Sequence, residues 1–335
     1  MPPRLNVPNR NALAAALSKA GAAVRAASLE ELPRHGLAHR HWLLRGRGLV
    51  LRVPILPGAA ETLERQAAIF RRAASSGHVP ALHAVLPPSR DLPGGALLVE
   101  AIGGRIPRVP ADLPAIGRAL AAIHNLPVPQ SRAPIPAPPE SFAATLALIE
   151  RNLERGASAL KSDIRAVLDA ERDWATRFAR EHAKALRALP RALIVADAHP
   201  RNFLIAAQAG GGDERAVCLD LERGQYACPA IDLAHALLPI AIAWGRSGES
   251  LTSADRTRFL NAYFRGRRAS VARLLRPWLK PFARLITLRT TAAYAAFRAS
   301  GAERALGPEA RAVARRAIIH TLHADRLAKI FAAVS

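Results

Sequence analysis

From about residue 41 to residue 101 the apolar positions come in short runs broken by glycine and proline, whereas most of the chain beyond repeats at helical spacing. His41-Trp42-Leu43-Leu44, a turn at Gly46-Arg47-Gly48 and Leu49-Val50-Leu51-Arg52-Val53 read as a β-hairpin, closed off by Pro54 and Pro57-Gly58. A helix is predicted from Glu61 to Ala74, then strands at Ala81–Leu86 and Ala96–Ala101 around the proline-rich turn Pro87 to Gly95. Ahead of these elements, Asn11–Ala27 reads as an alanine-rich first helix. The pattern describes a small antiparallel sheet with one inserted helix, ending near residue 101.

The remainder is mainly helical. Asp112–Asn125 reads as a helix opened by an acidic cap, with Leu113, Ile116, Leu120 and Ile123 on its apolar face. A proline-rich connector, Pro127 to Pro139, precedes helical patterns over Phe142–Arg155 and Lys161–Leu186. The pattern then changes to short apolar runs at Ala192–Ala196, Phe203–Ala206 and Ala216–Leu221, the last two separated by Gly210-Gly211-Gly212. From Ile231 onward only helix signals remain. The expected fold class is α+β, with two lobes at 1–101 and 102–335.

Composition narrows the possibilities. The chain has 335 residues, half of them hydrophobic, which is enough apolar surface to offset the chain entropy of folding and excludes a disordered protein. Cys218 and Cys228 are too few for a disulfide scaffold and suit reduced thiols in a cytoplasmic protein. No apolar run approaches the ~18 residues of a membrane span; the longest, Ala236 to Trp244, is short. The net charge of +22 rests on 43 arginines and only five lysines, a bias that a GC-rich coding sequence produces without any polyanionic partner. Trp42, Trp174, Trp244 and Trp278 are too scattered for a base-stacking platform, so no specific nucleic-acid partner is expected. Cys218 reads as core, and His124 and His235 as satisfied helix histidines.

The chemistry concentrates in Val195-Ala196-Asp197-Ala198-His199-Pro200-Arg201-Asn202 and in Cys218-Leu219-Asp220-Leu221-Glu222. An acid and an amide five residues apart, on a loop leaving a strand, can face one cavity, and a carboxylate at the end of the next hairpin can join them. Two carboxylates and an amide oxygen form a hard-oxygen site suited to Mg²⁺, which uses few protein ligands and completes its shell with phosphate and water. The remaining carboxylate can orient an attacking hydroxyl or accept its proton. Phosphoryl transfer needs these parts: positioning and charge neutralisation.

These segments resemble the catalytic loop and metal-binding strand of the aminoglycoside phosphotransferase / choline kinase family, the small-molecule relatives of protein kinases. The family pattern H-G-D-x-H-P-x-N, then D-W-E, then D-P-x-x-D-L-A is matched by Asp197, His199, Pro200 and Asn202, by Asp220 and Glu222, and by Pro229, Asp232, Leu233 and Ala234. Gly36 to Leu44 looks like the phosphate-covering hairpin, and Ile116 to Leu126, with Leu120 and His124, resembles the L-A-x-L-H helix. The resemblance implies a bilobal protein-kinase-like fold and transfer of the γ-phosphoryl of ATP, with Mg²⁺, to a hydroxyl of a small molecule. It implies Asp197 as catalytic acid/base, Asn202 and Asp220 as metal ligands, and Asp232 as a brace beneath the loop. Arg52, held by Glu64, would steady the nucleotide phosphates, and Glu100, Ala101 and Ile102 would form the hinge that receives adenine.

Departures are expected to matter. Val195-Ala196 stands where the family has His-Gly, and Arg52 where many members have lysine, which makes a pseudokinase or regulatory nucleotide-binding module the alternative. Family acceptors are often cationic, but residues 237–335 carry 18 Lys and Arg against five acids, a net +13. The resemblance implies that this tail helps wall the acceptor site, and so basic a wall favours a neutral or anionic acceptor.

Overall fold

The computed structural model describes residues 5, 8–33, 38–207, 214–239, 251–305 and 308–334. Gly36, Leu37, Gly210, Gly211, Gly212 and Trp244 therefore lie outside the described residues. Five strands, β1 (Leu29–Glu31), β2 (His39–Leu44), β3 (Leu49–Pro54), β4 (Leu82–Leu86) and β5 (Ala96–Glu100), form an antiparallel sheet in the order β1-β2-β3-β5-β4. The β2–β3 turn closes through Gly46 (φ 74°) and Gly48 (φ 62°), conformations that a residue with a Cβ adopts only at a cost.

Period-two alternation divides the sheet residues between two cores. Trp42 and Leu44 of β2, Leu51 and Val53 of β3, and Ala96 and Leu98 of β5 bury against Leu13 and Leu17 of α1 (Arg10–Lys19). The opposite face, with Leu97 and Val99, meets Ile69 and Phe70 of α3 (Leu63–Ala73), which follows the single turn α2 (Pro57–Ala60). This second core runs without a break into the helical half of the molecule. Helix α1 is shorter than the pattern predicts. Asn9 caps its start by accepting the Ala12 N–H at 2.9 Å, and the chain leaves the helix at Ala20 to enter β1, a strand too short to be read from its alternation.

The second half contains α4 (Leu113–His124), α5 (Ser141–Gly156), α6 (Ser162–Glu181) and α7 (Ala183–Arg187). Then come the short strands β6 (Ala192–Ile194), β7 (Phe203–Ala206), β8 (Arg215–Cys218) and β9 (Gln225–Ala227). The chain ends in α8 (Ala230–Ala236), α9 (Ser253–Arg265), α10 (Ala269–Leu275), α11 (Leu279–Ala299), α12 (Pro308–Thr321) and α13 (Ala324–Val334). Strands β6 and β9 pair antiparallel, as do β7 and β8, so each strand flanking the chemistry is fixed by a partner. The predicted Lys161–Leu186 helix is interrupted at His182. Asp112 does not cap α4: its carboxylate is drawn away by the Arg105 guanidinium, at 2.6 and 3.1 Å, and by the Arg108 N–H at 2.6 Å. The proline-rich connector is anchored by buried Ile135 and by the Pro136 carbonyl, which accepts the Tyr226 N–H at 2.8 Å.

Candidate active site

Beyond β6 the chain is held from below by one fully buried carboxylate. Asp232, in the first turn of α8, accepts the N–H groups of Val195 and Ala196, each at 2.8 Å, and His124 Nε2 lies 3.0 Å from the same group. The other His124 nitrogen meets the Tyr263 hydroxyl at 3.0 Å. Burial pushes His124 below its ordinary pKa despite Asp232, so with Nε2 protonated the neutral ring donates to Asp232 and accepts from Tyr263. The first turn of α8 thus clamps the loop, and His124 is satisfied on both nitrogens.

Ala196 sits at φ 61°, in the left-handed region where its Cβ crowds the following carbonyl. The expected glycine of this position is thereby explained: the turn needs that conformation whatever residue occupies it. Ala196→Gly is expected to stabilise the protein by about 1 kcal/mol, read as a raised urea midpoint; a lowered midpoint would contradict the strain.

The loop then presents Asp197, whose side chain is 26% exposed. Burial opposes its ionisation, but His235, His199, Arg223 and Arg289 outweigh it and hold the carboxyl at about 2. Burial pushes His235 itself down to about 3 and leaves it neutral at pH 7, so the lasting counter-charge is that of the two arginines. His235 Nδ1 lies 3.3 Å from Asp197 Oδ1 without the alignment of a hydrogen bond. It is a buried ring set against the carboxylate, not a satisfied helix histidine.

Asn202 donates its Nδ2 to the Asp197 backbone carbonyl at 2.8 Å, while its own backbone carbonyl accepts the Leu219 N–H at 2.8 Å. This double tie fixes the amide and leaves Oδ1 as its open acceptor. Asp220 Oδ1 accepts the Glu222 N–H at 3.2 Å and stands 3.9 Å from Arg52 Nη2. Burial, followed by the neighbouring Glu222 carboxylate, pushes the Asp220 pKa up, with Arg52 opposing. A crowded carboxylate beside an oriented amide oxygen suits a cation. One carboxylate and one amide oxygen are hard donors of the kind Mg²⁺ takes when phosphate and water complete its shell.

The nucleotide side departs from expectation in one respect. Alternation along β3 turns Arg52 toward α3, where its guanidinium lies over the Phe70 ring at 5.5 Å and donates to the Leu219 carbonyl at 2.6 Å. Glu64 does not hold it. Phe70 shares its helix face with Gln66, one turn earlier, whereas Glu64 is two residues out of phase and exposed. The buried Gln66 bonds the Ala59 carbonyl at 3.3 Å and Thr62 Oγ1 at 2.9 Å.

At the hinge, the N–H groups of Glu100 and Ala101 are already used, by the Ala81 and Gly48 carbonyls, both at 2.8 Å. Glu100 also accepts the Ala81 N–H at 3.1 Å through its carboxylate, which leaves Ile102 with the available backbone donor of the three.

Four residues near this chemistry are not among the predicted site residues. His39 of β2 reaches the Glu222 carboxylate at 3.4 Å; Arg223 and His235 flank the motif residues; Arg289 arrives from α11, some ninety residues downstream of Asp197. Only their proximity in the fold reveals them.

Residues 30–282 match the model of the phosphotransferase enzyme family. No curated protein matches the chain. Among solved structures, the chain is similar to a Plasmodium vivax ethanolamine kinase at 12% identity and TM-score 0.61, covering 92% of this chain and 84% of that one. It is similar to a choline/ethanolamine kinase family protein from Mesorhizobium loti at 21% identity and TM-score 0.59, covering 97% of each. A third likeness is to the GDP complex of aminoglycoside 2'-phosphotransferase-IIIa, at 15% identity and TM-score 0.62, covering 94% of this chain and 98% of that one. At these identities the likeness is one of fold, bilobal and protein-kinase-like.

Proposed function

The chain belongs to the phosphotransferase enzyme family, and from that membership we propose that it is an ATP-dependent, Mg²⁺-dependent small-molecule kinase acting on a hydroxyl of a neutral or anionic acceptor. The nucleotide sits between a lobe of residues 1–101 and a lobe of residues 102–335, in a protein of the cytoplasm. Its adenine meets the backbone of Glu100 to Ile102, and Arg52 steadies its phosphates as a fixed charge. Asn202 and Asp220 hold the metal, which when bound neutralises charge on the transferring phosphates.

Asp197 orients the acceptor hydroxyl. The hydroxyl oxygen forms a bond to the γ-phosphorus while the bond from that phosphorus to the β–γ bridging oxygen breaks, and the hydroxyl proton passes to Asp197 and then to solvent. A carboxyl held at about 2 is a weak base, so its work is chiefly alignment, with the proton taken late as the phosphoryl group arrives. The observation that carries the reading is the tie of Asn202 to the backbones of Asp197 and of Leu219, the residue before Asp220.

Thermal unfolding with and without MgATP tests it. Near 100 times Kd the nucleotide is expected to stabilise the protein by about 2.7 kcal/mol, only with Mg²⁺ present and not in Asp220→Ala. An equal shift without metal, or in the variant, would overturn the site assignment. A metal-dependent shift with no transfer to any alcohol would favour the pseudokinase.

A further inference from the structure

Glu222, two residues beyond the proposed metal ligand Asp220, is engaged through its N–H, its carbonyl and its carboxylate at once, and two of the three partners come from the sheet lobe. Its N–H donates to Asp220 Oδ1 at 3.2 Å. Its carbonyl accepts Arg65 Nη2 of α3 at 3.2 Å. Its carboxylate lies 3.4 Å from Nδ1 of the buried His39, the first residue of β2. One residue therefore links the Asp220 carboxylate to both a helix and a strand of the sheet lobe. On the other side of Asp220 the Leu219 N–H donates to the Asn202 carbonyl at 2.8 Å, which ties the same segment to the loop that carries Asp197.

The approach of α3 is close as well as polar. A Cβ on Gly224 would come within 2.9 Å of Ile69 Cγ2, so the turn after Glu222 lies directly on α3. Ile69 follows Arg65 by four residues, which puts both side chains on one helix face; Glu64 is out of phase with them and exposed. With Nδ1 protonated, His39 donates to the Glu222 carboxylate whether its ring is neutral or charged. The turn itself is closed without these contacts, since the Gly224 N–H donates to the Leu221 carbonyl at 3.0 Å and β8 is paired with β7 along its whole length. What Arg65 and His39 add is a fixed place for Glu222 and, through its N–H, for the Asp220 carboxylate.

Resting on the phosphotransferase reading, we propose that Arg65 and His39 are positioning residues for Asp220: they hold Glu222, whose N–H fixes one oxygen of the Asp220 carboxylate and leaves the other to the metal. Helix α3 thereby acts on the metal strand through Arg65 and not through Glu64. Arg52 makes its own bond ahead of Asp220, to the Leu219 carbonyl, and leaves the side beyond it to these two.

Amide hydrogen exchange at Glu222, followed by NMR without nucleotide, would compare wild type with Arg65→Ala, His39→Ala and Glu64→Ala. Exchange is expected to quicken by about fivefold in the first two, the worth of one hydrogen bond, and to stay at the wild-type rate in Glu64→Ala. Calorimetric titration of Mg²⁺ at saturating ATP should need about fivefold more metal in the same two variants, while ATP binding without metal is unchanged. Arg65→Lys and His39→Asn, which keep a donor, should recover part of both effects and carry the comparison if an alanine variant does not fold. Wild-type exchange and metal titration in Arg65→Ala and His39→Ala would overturn the inference, as would an equal effect in Glu64→Ala or an equal weakening of metal-free ATP binding. Faster Glu222 exchange in a protein whose ATP binding ignores Mg²⁺ would count against the kinase reading alone, because exchange reports on the hold over Glu222 without nucleotide.

Discussion

Asp197→Ala is expected to lower phosphoryl transfer by about a thousandfold while leaving MgATP-dependent stabilisation at its wild-type value. The separation follows from how the loop is tied. Asn202 bonds the backbone carbonyl of Asp197, not its carboxylate, so removing the side chain leaves the amide oxygen and Asp220 in place. What is lost, under the proposed mechanism, is the group that aligns the acceptor hydroxyl and takes its proton. Asp197→Asn should be nearly as slow, since the amide keeps the shape and cannot accept the proton. A carboxyl at about 2 is ionised throughout pH 5–9, so in wild type kcat/KM should show no acidic fall assignable to Asp197 in that range. Single-turnover rates together with nucleotide titration would check both halves. Transfer within tenfold of wild type in Asp197→Ala would remove this residue from the reaction.

Asp232→Ala should be the most destabilising single change at the site, by about 3–5 kcal/mol, because one fully buried carboxylate receives Val195, Ala196 and His124. Its loss leaves two backbone N–H groups and an imidazole N–H without acceptors, in a core from which water is excluded. Asn in its place offers one oxygen and turns an NH₂ toward donors, so Asp232→Asn should recover little. His124→Gln removes only one of the three donors and should cost less than either. Urea unfolding of the three variants gives the ranking, and an Asp232→Ala loss below about 1 kcal/mol would mean that the loop is held by other contacts.

The family was legible because its signature is local. Asp197, His199, Pro200 and Asn202 fall within six residues, and Asp220, Glu222, Pro229 and Asp232 follow in order. The β2–β3 hairpin and α3 to α5 were legible from glycine punctuation and helical period. Strands β1 and β9 were not, since three residues carry no measurable alternation and β9 exists only by pairing with the distant β6. The Arg52–Glu64 pair failed through helical phase: a motif match fixes the position of an acid in sequence, while the face that meets β3 is set by packing around Phe70. Arg289 was invisible for another reason. Among 43 arginines nothing local separates one within electrostatic reach of a distant carboxylate from one that faces water.

The crossing between the lobes sets where they can pivot. Arg105 and Ile205 exchange two backbone hydrogen bonds, at 2.9 and 2.8 Å, and a Cβ on Gly104 would come within 2.6 Å of the Ile205 carbonyl. From Gly104 onward the strap is therefore welded to β7 and travels with the helical lobe, whereas Ala101 is bonded to Gly48 and travels with the sheet. Only Ile102 and Gly103 lie between these two attachments, and a Cβ on Gly103 would touch nothing within 4 Å. Within this crossing, backbone freedom is concentrated in about two residues, so the one residue of the predicted adenine hinge whose N–H stands open is also one of the two joints, and a nucleotide bound as proposed would stiffen the crossing directly.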